Sequence, residues 1–170
     1  ISALGNLGVQ AKPAIPKLLP LLNEPNFLSQ GLVISSLERI GADSPLAIAS
    51  LIQRLDDPNS TVRSEAAQAL NKLGGEAKAA LLKHMLQNLD RREPSVRVNA
   101  ADWLGKIGTD AKVAIPKLMQ RLDDSEPEVR VSAARTLAVL GVDAQVTIPT
   151  LIQLLDATDA GLRARAASSL

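Results

Sequence analysis

Cysteine and tyrosine are absent from the 170 residues, and histidine, tryptophan and phenylalanine occur once each. The lack of cysteine excludes disulfides, thiolate metal sites and cysteine nucleophiles, and a single histidine excludes a multi-histidine metal centre. Glycine-rich phosphate loops, nucleophile elbows and histidine–carboxylate constellations are missing as well. We therefore expect no catalytic residue, no metal site and no cofactor, and we predict that the chain is not an enzyme.

Neither sign of charge predominates. The 19 basic and 18 acidic residues give a net charge of +1, so there is no bulk electrostatic attraction to nucleic acid or to a membrane surface. No apolar run approaches the roughly 18 residues that a membrane-spanning helix requires. We expect a cytoplasmic protein that does not bind membranes.

A repeat of 33 residues runs through the sequence. Glycines recur at one phase, with a single 34-residue step where Gly75 is inserted. These glycines are Gly8, Gly41, Gly74, Gly108 and Gly141. An aspartate and, seven residues later, an arginine recur in the same register, as Asp56 and Arg63, Asp90 and Arg97, Asp123 and Arg130, and Asp156 and Arg163. Self-similarity at this period is typical of a solenoid, in which each repeat buries its apolar face against its neighbours.

Each repeat is predicted to contain two helices. Residues 58–60, Pro-Asn-Ser, interrupt the helical pattern. Apolar residues then follow at helical spacing from Val62 to Leu73, and Gly74 ends the predicted helix. A second helix follows each turn, at roughly residues 13–22, 46–55, 77–89, 111–122 and 144–155. The apolar residues of the second helices are Leu18, Leu19 and Leu22; Leu51, Ile52 and Leu55; Met85, Leu86 and Leu89; Leu118, Met119 and Leu122; and Leu151, Ile152 and Leu155.

Proline occupies one phase of the second helices, at Pro16, Pro116 and Pro149. We place these prolines near the start of the helix, where a missing amide donor is tolerated. The third repeat has Lys83 in this position together with the inserted Gly75. We expect a local irregularity between residues 74 and 83.

Two stretches of the sequence resemble HEAT repeats of the short bacterial type named after phycobilisome lyases. These stretches are GTDAKVAIPKLMQRLDDSEPEVRVSAARTLAVLG and LDDPNSTVRSEAAQALNKLG. The resemblance extends over the whole chain. It implies an all-α, right-handed α-α superhelix (a HEAT-repeat solenoid) of about five antiparallel helix pairs of 33–34 residues. First helices are then convex and second helices concave.

The resemblance also implies a hydrogen-bonded ladder between turn aspartates and the arginines that begin the next helix. It corresponds here to Asp57 with Arg63 and Asp124 with Arg130. Other repeats depart from this pattern, since Arg91 and Ala157 stand in the aspartate position, where Asp90 and Asp156 are possible substitutes, and Gln30 stands in the arginine position.

We predict one continuous HEAT-repeat array over residues 1–170, as a fragment of a longer solenoid. The start at Ile1 resembles the end of a helix, and Leu170 falls inside another helix. Neither end of the sequence has a polar capping repeat.

The second helices contain no Asp or Glu, whereas basic residues do occur in them. The basic residues are Lys17, Arg54, Lys78, Lys83, Lys112, Lys117 and Arg121, with His84 among them. A concave face with this composition is weakly basic and suits an acidic partner.

Glutamine recurs on the same helices, three residues before each turn aspartate, at Gln53, Gln87, Gln120 and Gln153. Because a glutamine offers both a donor and an acceptor, a row at repeat spacing can bind the backbone of an extended peptide. The alternative is that glutamine is simply a solvent-facing helix former.

Trp103 likewise has two interpretations, as an exposed partner anchor or as packing over an adjacent helix.

We predict a non-catalytic protein–protein interaction scaffold that binds an acidic or extended protein segment on its concave face. The predicted contact residues are Lys17, Gln53, Arg54, Gln87, Lys117, Gln120, Arg121, Gln153 and Trp103. One alternative is a bilin lyase-type accessory subunit for chromophore attachment, which the resemblance alone suggests. The other is nucleic-acid binding through the same basic face, although few aromatic residues and about seven dispersed cations make a modest phosphate footprint.

Overall fold

The computed structural model describes residues 8–24 and 26–170, and every regular element in these ranges is helical. The α-helices are α1 (Ile15–Leu18), α2 (Phe27–Ile40), α3 (Pro45–Arg54), α4 (Ser60–Leu73), α5 (Gly75–Asn88), α6 (Pro94–Ile107), α7 (Ile115–Gln120), α8 (Pro127–Val139), α9 (Ala144–Leu155) and α10 (Ala160–Ala167). Short 3₁₀ segments cover Gly8–Ala14, Leu19–Asn23, Gly108–Ala114 and Arg121–Asp123. The predicted all-α repeat fold is confirmed. The expected helix end at Ile1 lies outside the described residues.

The chain divides into two compact units, residues 1–81 and 82–170, with the boundary inside α5. In the first unit α4 packs against both α2 and α3. In the second unit α8 packs against α6, α9 and α10. The helices α2, α4, α6, α8 and α10 are first helices of their repeats, and α3 and α9 are second helices. Each of these contacts therefore joins a first helix either to another first helix or to a second helix. The continuity of the array over residues 1–170, and its origin in a longer solenoid, stay predictions.

Leucine side chains form the centre of each unit. Leu37, Leu51 and Leu70 are fully buried in the first unit, and Leu104 and Leu137 are fully buried in the second. Alanine occupies the positions where first helices approach each other, including Ala66, Ala67, Ala100, Ala101, Ala133 and Ala134, all of them buried. Small side chains at these positions allow the helices to pack closely.

Proline reshapes the second helices of two repeats. Residues 8–23 contain three prolines, and α-helix is restricted there to the four residues of α1. Residues 108–123 contain Pro116 and form α7 between two 3₁₀ segments. Because proline has no amide hydrogen, the carbonyl four residues earlier loses its helical donor. Pro149 nevertheless lies inside a continuous α9.

The irregularity expected between residues 74 and 83 is confined to two glycines. Gly74 and Gly75 have φ of 70° and 46°, in the left-handed region that glycine tolerates. Helix α5 then runs without interruption over 14 residues. This second helix contains no proline.

The apolar positions of the second helices do not all belong to the core. Leu118 and Leu151 are buried, but the residues that follow them, Met119 and Ile152, are 43% and 52% exposed. Successive residues point about 100° apart around a helix, so the second of two adjacent apolar residues turns away from the core. Met119 and Ile152, which belong to the apolar set of the second helices in the sequence, therefore face solvent.

An arginine near the start of four first helices binds the turn before it. Arg63 Nη1 donates to the carbonyl oxygens of Asp57 and Pro58, at 2.7 and 2.9 Å. The equivalent pairs of bonds are Arg97 to Arg91 and Arg92, Arg130 to Asp124 and Ser125, and Arg163 to Ala157 and Thr158. Gln30 occupies the arginine position of its repeat, and its Nε2 donates to the carbonyls of Leu22 and Glu24. We call these contacts the turn clamp.

The implied hydrogen bonds of Arg63 with Asp57 and of Arg130 with Asp124 are present, but each arginine contacts the aspartate's main-chain carbonyl and not its carboxylate. The Asp124 carboxylate accepts instead from Arg97 of the preceding repeat, with Nε–Oδ2 at 2.9 Å and Nη2–Oδ1 at 2.6 Å. Both side chains are almost fully buried. This bidentate pair joins two repeats through a charge-assisted contact.

The surroundings of Asp124 favour its ionised form. Burial alone would raise the pKa of Asp124, but hydrogen bonds from Arg97 and from the Glu126 amide, with the charges of Arg97 and Arg121, lower the pKa below its ordinary value. The carboxylate is therefore charged in the folded protein at neutral pH.

We expect Asp124→Asn to lower the free energy of unfolding by about 1.5–3 kcal/mol, because a buried guanidinium loses a charged acceptor. Urea unfolding followed by circular dichroism measures the change. Asp123→Asn, at an exposed neighbouring position, is the matched control and should change stability by less than about 0.5 kcal/mol. Equal effects of the two substitutions would contradict the assigned contact.

Acid should remove the contribution of Asp124. Since the pKa of Asp124 is lower in the folded than in the unfolded chain, the carboxylate stabilises the fold above the unfolded value of about 3.8 and loses this effect as the pH falls through the folded value. The stability difference between the parent and Asp124→Asn should therefore shrink between about pH 5 and pH 2. A constant difference over this range in urea titrations would contradict the assignment.

Candidate functional site

The predicted contact residues fall into three groups in the structure. Gln53, Gln87, Gln120, Gln153 and Lys17 are exposed. Arg54, Lys117 and Arg121 are half-buried and form ion pairs. Trp103 is buried. Only the first group is presented to solvent as the sequence predicts.

The second group forms contacts within the protein. Lys117 Nζ donates to Asp90 Oδ2 at 2.5 Å and to the Leu86 carbonyl at 3.2 Å. Asp90 and Leu86 belong to the preceding repeat, so this contact crosses a repeat junction. The aspartate lies in a turn 27 residues earlier, and for that reason the composition of the second helices alone does not reveal it.

The two arginines of this group also have internal acceptors. Arg54 Nη1 donates to the Leu22 carbonyl of the preceding repeat at 3.2 Å and to Asp57 Oδ2 at 3.4 Å. Arg121 Nη1 lies 3.4 Å from Asp124 Oδ2. The expected basic face is therefore partly neutralised.

Among the described lysines of the second helices, Lys17, Lys83 and Lys112 are exposed and form no ion pair.

Glutamine and apolar side chains lie next to each other on the second helices of the second unit. Gln120 follows Met119 on α7, and Gln153 follows Ile152 on α9. All four side chains are exposed. Within the described residues the two glutamine side chains form no hydrogen bond, so their amide donors and acceptors are open to a partner. We call Gln87, Gln120 and Gln153 the glutamine column.

A cleft of about 320 Å³ lies between the second helices of the first two repeats, within the first unit. Its lining residues are Pro16, Leu19, Pro20, Leu22, Asn23, Ser50, Gln53 and Arg54. Asn23 and Ser50 are the repeat equivalents of Asp90 and Lys117. The sequence gives no sign of this cleft, because its shape depends on how two neighbouring helices pack.

Trp103 is 4% exposed, so its expected role as an exposed anchor is wrong. It lies on α6, which packs against α8, in agreement with the alternative that it is part of the packing. Lys106 Nζ lies 4.2 Å from the centroid of the indole ring, a cation–π distance. The adjacent turn of the same helix thus covers the ring.

Neither a metal centre nor a membrane span is found in the described part of the chain. No group of three histidine, aspartate or glutamate side chains there has an arrangement that could hold a metal ion. None of the described helices combines the length and the apolar character needed to cross a bilayer.

Comparison with known proteins gives a family match and structural likenesses. A family model described as HEAT repeats matches residues 15–93 and 84–170. The complex of CpcE and CpcF of phycocyanin lyase from Nostoc sp. PCC7120 superimposes with a TM-score of 0.59 at 23% identity, over 92% of this chain and 98% of that chain. At this identity the likeness shows the fold alone.

Two further solved structures share the fold. A TOG domain from the Crescerin array that regulates microtubules in the primary cilium has a TM-score of 0.53 at 22% identity, over 92% of this chain and 72% of that chain. An engineered protein has a TM-score of 0.50 at 22% identity, over 99% and 88% of the two chains. No curated protein matches the sequence of this chain.

The burial of Trp103 predicts its fluorescence. Emission of the folded protein should lie at shorter wavelength than that of free tryptophan in water, because the indole is shielded from solvent. Acrylamide should quench it weakly, and urea should shift the emission to longer wavelength. Since Trp103 is the only tryptophan, the signal has one source, and strong quenching in the native state would contradict the buried position.

Proposed function

This chain belongs to the HEAT-repeat family, and we propose that it is a non-catalytic scaffold that binds an extended protein segment across the exposed face of its second helices. The observation that supports this proposal is the glutamine column. Its three members are exposed on α5, α7 and α9 and have no internal side-chain hydrogen bond among the described residues. HEAT-repeat folds are typical of protein-interaction scaffolds.

The chemistry of the carboxamide suits an extended backbone. Each glutamine provides one acceptor oxygen and a donor NH₂ group, so one side chain can pair with both the N–H and the C=O of a peptide unit. Neighbouring helices pack about 8–10 Å apart, and an extended chain advances about 3.3 Å per residue. A segment of about six or seven residues would therefore pass all three glutamines.

Apolar side chains beside the column provide the other part of the binding surface. Met119 and Ile152 are 43% and 52% exposed, and Ile148 is 37% exposed one turn before Ile152. Covering these side chains would contribute about 25 cal/mol for each Å² of apolar area removed from water. The proposed face thus combines directed hydrogen bonds with hydrophobic contact.

Charge has a smaller place in this proposal than the composition suggests. Arg54, Lys117 and Arg121 are paired with aspartates, which reduces the number of cations open to phosphate groups. No observation therefore favours nucleic-acid binding. The likeness to phycocyanin lyase is one of fold, and it gives the chromophore-attachment alternative no further support.

The glutamine column is tested with the triple variant Gln87→Ala, Gln120→Ala and Gln153→Ala. Heptapeptides selected on the parent protein from a displayed random library serve as probes, and calorimetry measures their dissociation constants. Loss of hydrogen bonds worth about 0.5–1.5 kcal/mol at each glutamine should weaken binding by about 10-fold to 1,000-fold.

Gln68→Ala and Gln145→Ala provide matched controls, because both glutamines are exposed but lie outside the column. They should leave the dissociation constants within about twofold of the parent value. Unchanged affinity of the triple variant, or failure of the library to yield any binding peptide, would contradict the proposed function.

A further inference from the structure

We propose that the cleft between the second helices of the first two repeats receives one carboxylate side chain, of Asp or Glu, from a bound protein segment. This inference rests on the proposed function and deepens it, because it names the residue type that one repeat junction selects. The cleft lies in the first unit, whereas the glutamine column belongs to the second.

The polar lining of the cleft is made of hydrogen-bond donors without an acid. Ser50 offers a hydroxyl, Asn23 and Gln53 offer amide NH₂ groups, and Arg54 offers its guanidinium. Proline and leucine form the remaining walls. Glu24, the acid next to this set in sequence, does not line the cleft. A volume of about 320 Å³ accommodates a single amino-acid side chain with part of its backbone.

Arg54 is held in place and keeps an open donor. Its Nη1 donates to the Leu22 carbonyl at 3.2 Å and to Asp57 Oδ2 at 3.4 Å. Among the described residues Nη2 forms no hydrogen bond, and Nε is buried without an acceptor. Because the Arg54 guanidinium is already oriented, little conformational entropy is lost when a carboxylate binds to it.

The protein's own repeats show that a carboxylate suits this junction. Two repeats further along, Asp90 stands in the position of Asn23 and Lys117 in the position of Ser50. There the Asp90 carboxylate accepts from Lys117 Nζ at 2.5 Å. In the first unit the acid is replaced by an amide and the lysine by a short hydroxyl. The first junction thus keeps donors for a carboxylate, and no acid lines its cleft; the Asp57 carboxylate binds Arg54 from the side of Nη1.

The test uses blocked single residues, N-acetylglutamate methylamide and N-acetylglutamine methylamide, added to the full chain. Two-dimensional NMR follows the side-chain amide signals of Asn23 and Gln53. We expect the glutamate compound to shift both signals with a dissociation constant in the millimolar range and the glutamine compound to bind at least about tenfold more weakly. Equal shifts, or none up to about 10 mM, would overturn the inference.

The double variant Asn23→Asp and Ser50→Lys reproduces the Asp90 and Lys117 pair in the cleft. Its internal carboxylate should compete with the probe and weaken binding of the glutamate compound at least about tenfold. The matched control makes the same two substitutions at exposed positions of α6, Asn99→Asp and Ser95→Lys. It should retain the parent affinity.

Arg54→Lys is a second, independent variant. It keeps the positive charge and removes the planar fork, so binding of the glutamate compound should weaken at least about fivefold. Circular dichroism confirms that each variant is folded. Undiminished glutamate binding in a folded variant of either kind would overturn the cleft assignment. The glutamine-column proposal would remain, since its variants lie in the other unit.

Discussion

The turn clamp is the contact on which the repeat depends. In four repeats an arginine nitrogen lies between two successive carbonyls of the turn that precedes a first helix. The contact satisfies these groups and fixes the direction in which the next first helix starts. The first helices that start from these turns pack against one another, α6 against α8 and α2 against α4. The surface presented by the second helices is a consequence of the same geometry.

Sequence periodicity was sufficient to predict the class of fold, because each repeat carries its own helix signals and its own buried leucines. It was insufficient to predict which side chains pair. Arg97 and Asp124 lie in different repeats. In two other repeats the position of Asp124 is filled by Arg91 and Ala157, so repeat spacing alone does not show which arginine pairs with which aspartate. The exposure of Met119 and Ile152 was missed as well, since an apolar residue next to a buried leucine gives the same composition whether it faces the core or solvent.

Repeats of similar sequence carry different contacts at the same position. The second unit places Lys117 and Asp90 across a repeat junction, whereas Ser50 and Asn23 line a cleft at the corresponding place in the first unit. The backbone arrangement is the same kind of helix pair in both. Side-chain substitution at a repeat junction therefore changes surface chemistry without requiring a change of fold.

Gln30 shows that the turn clamp requires donor geometry and not charge. An uncharged amide makes bonds of 2.9 and 3.0 Å to the carbonyls of Glu24 and Leu22 in the place where other repeats use arginine. Dissolved ions screen interactions between exposed charges over about 10 Å at 0.1 M, but they leave hydrogen bonds to neutral carbonyls largely unaffected. The helical repeats should accordingly persist in concentrated salt, so a binding assay in strong electrolyte would report on the partner surface and not on loss of the fold.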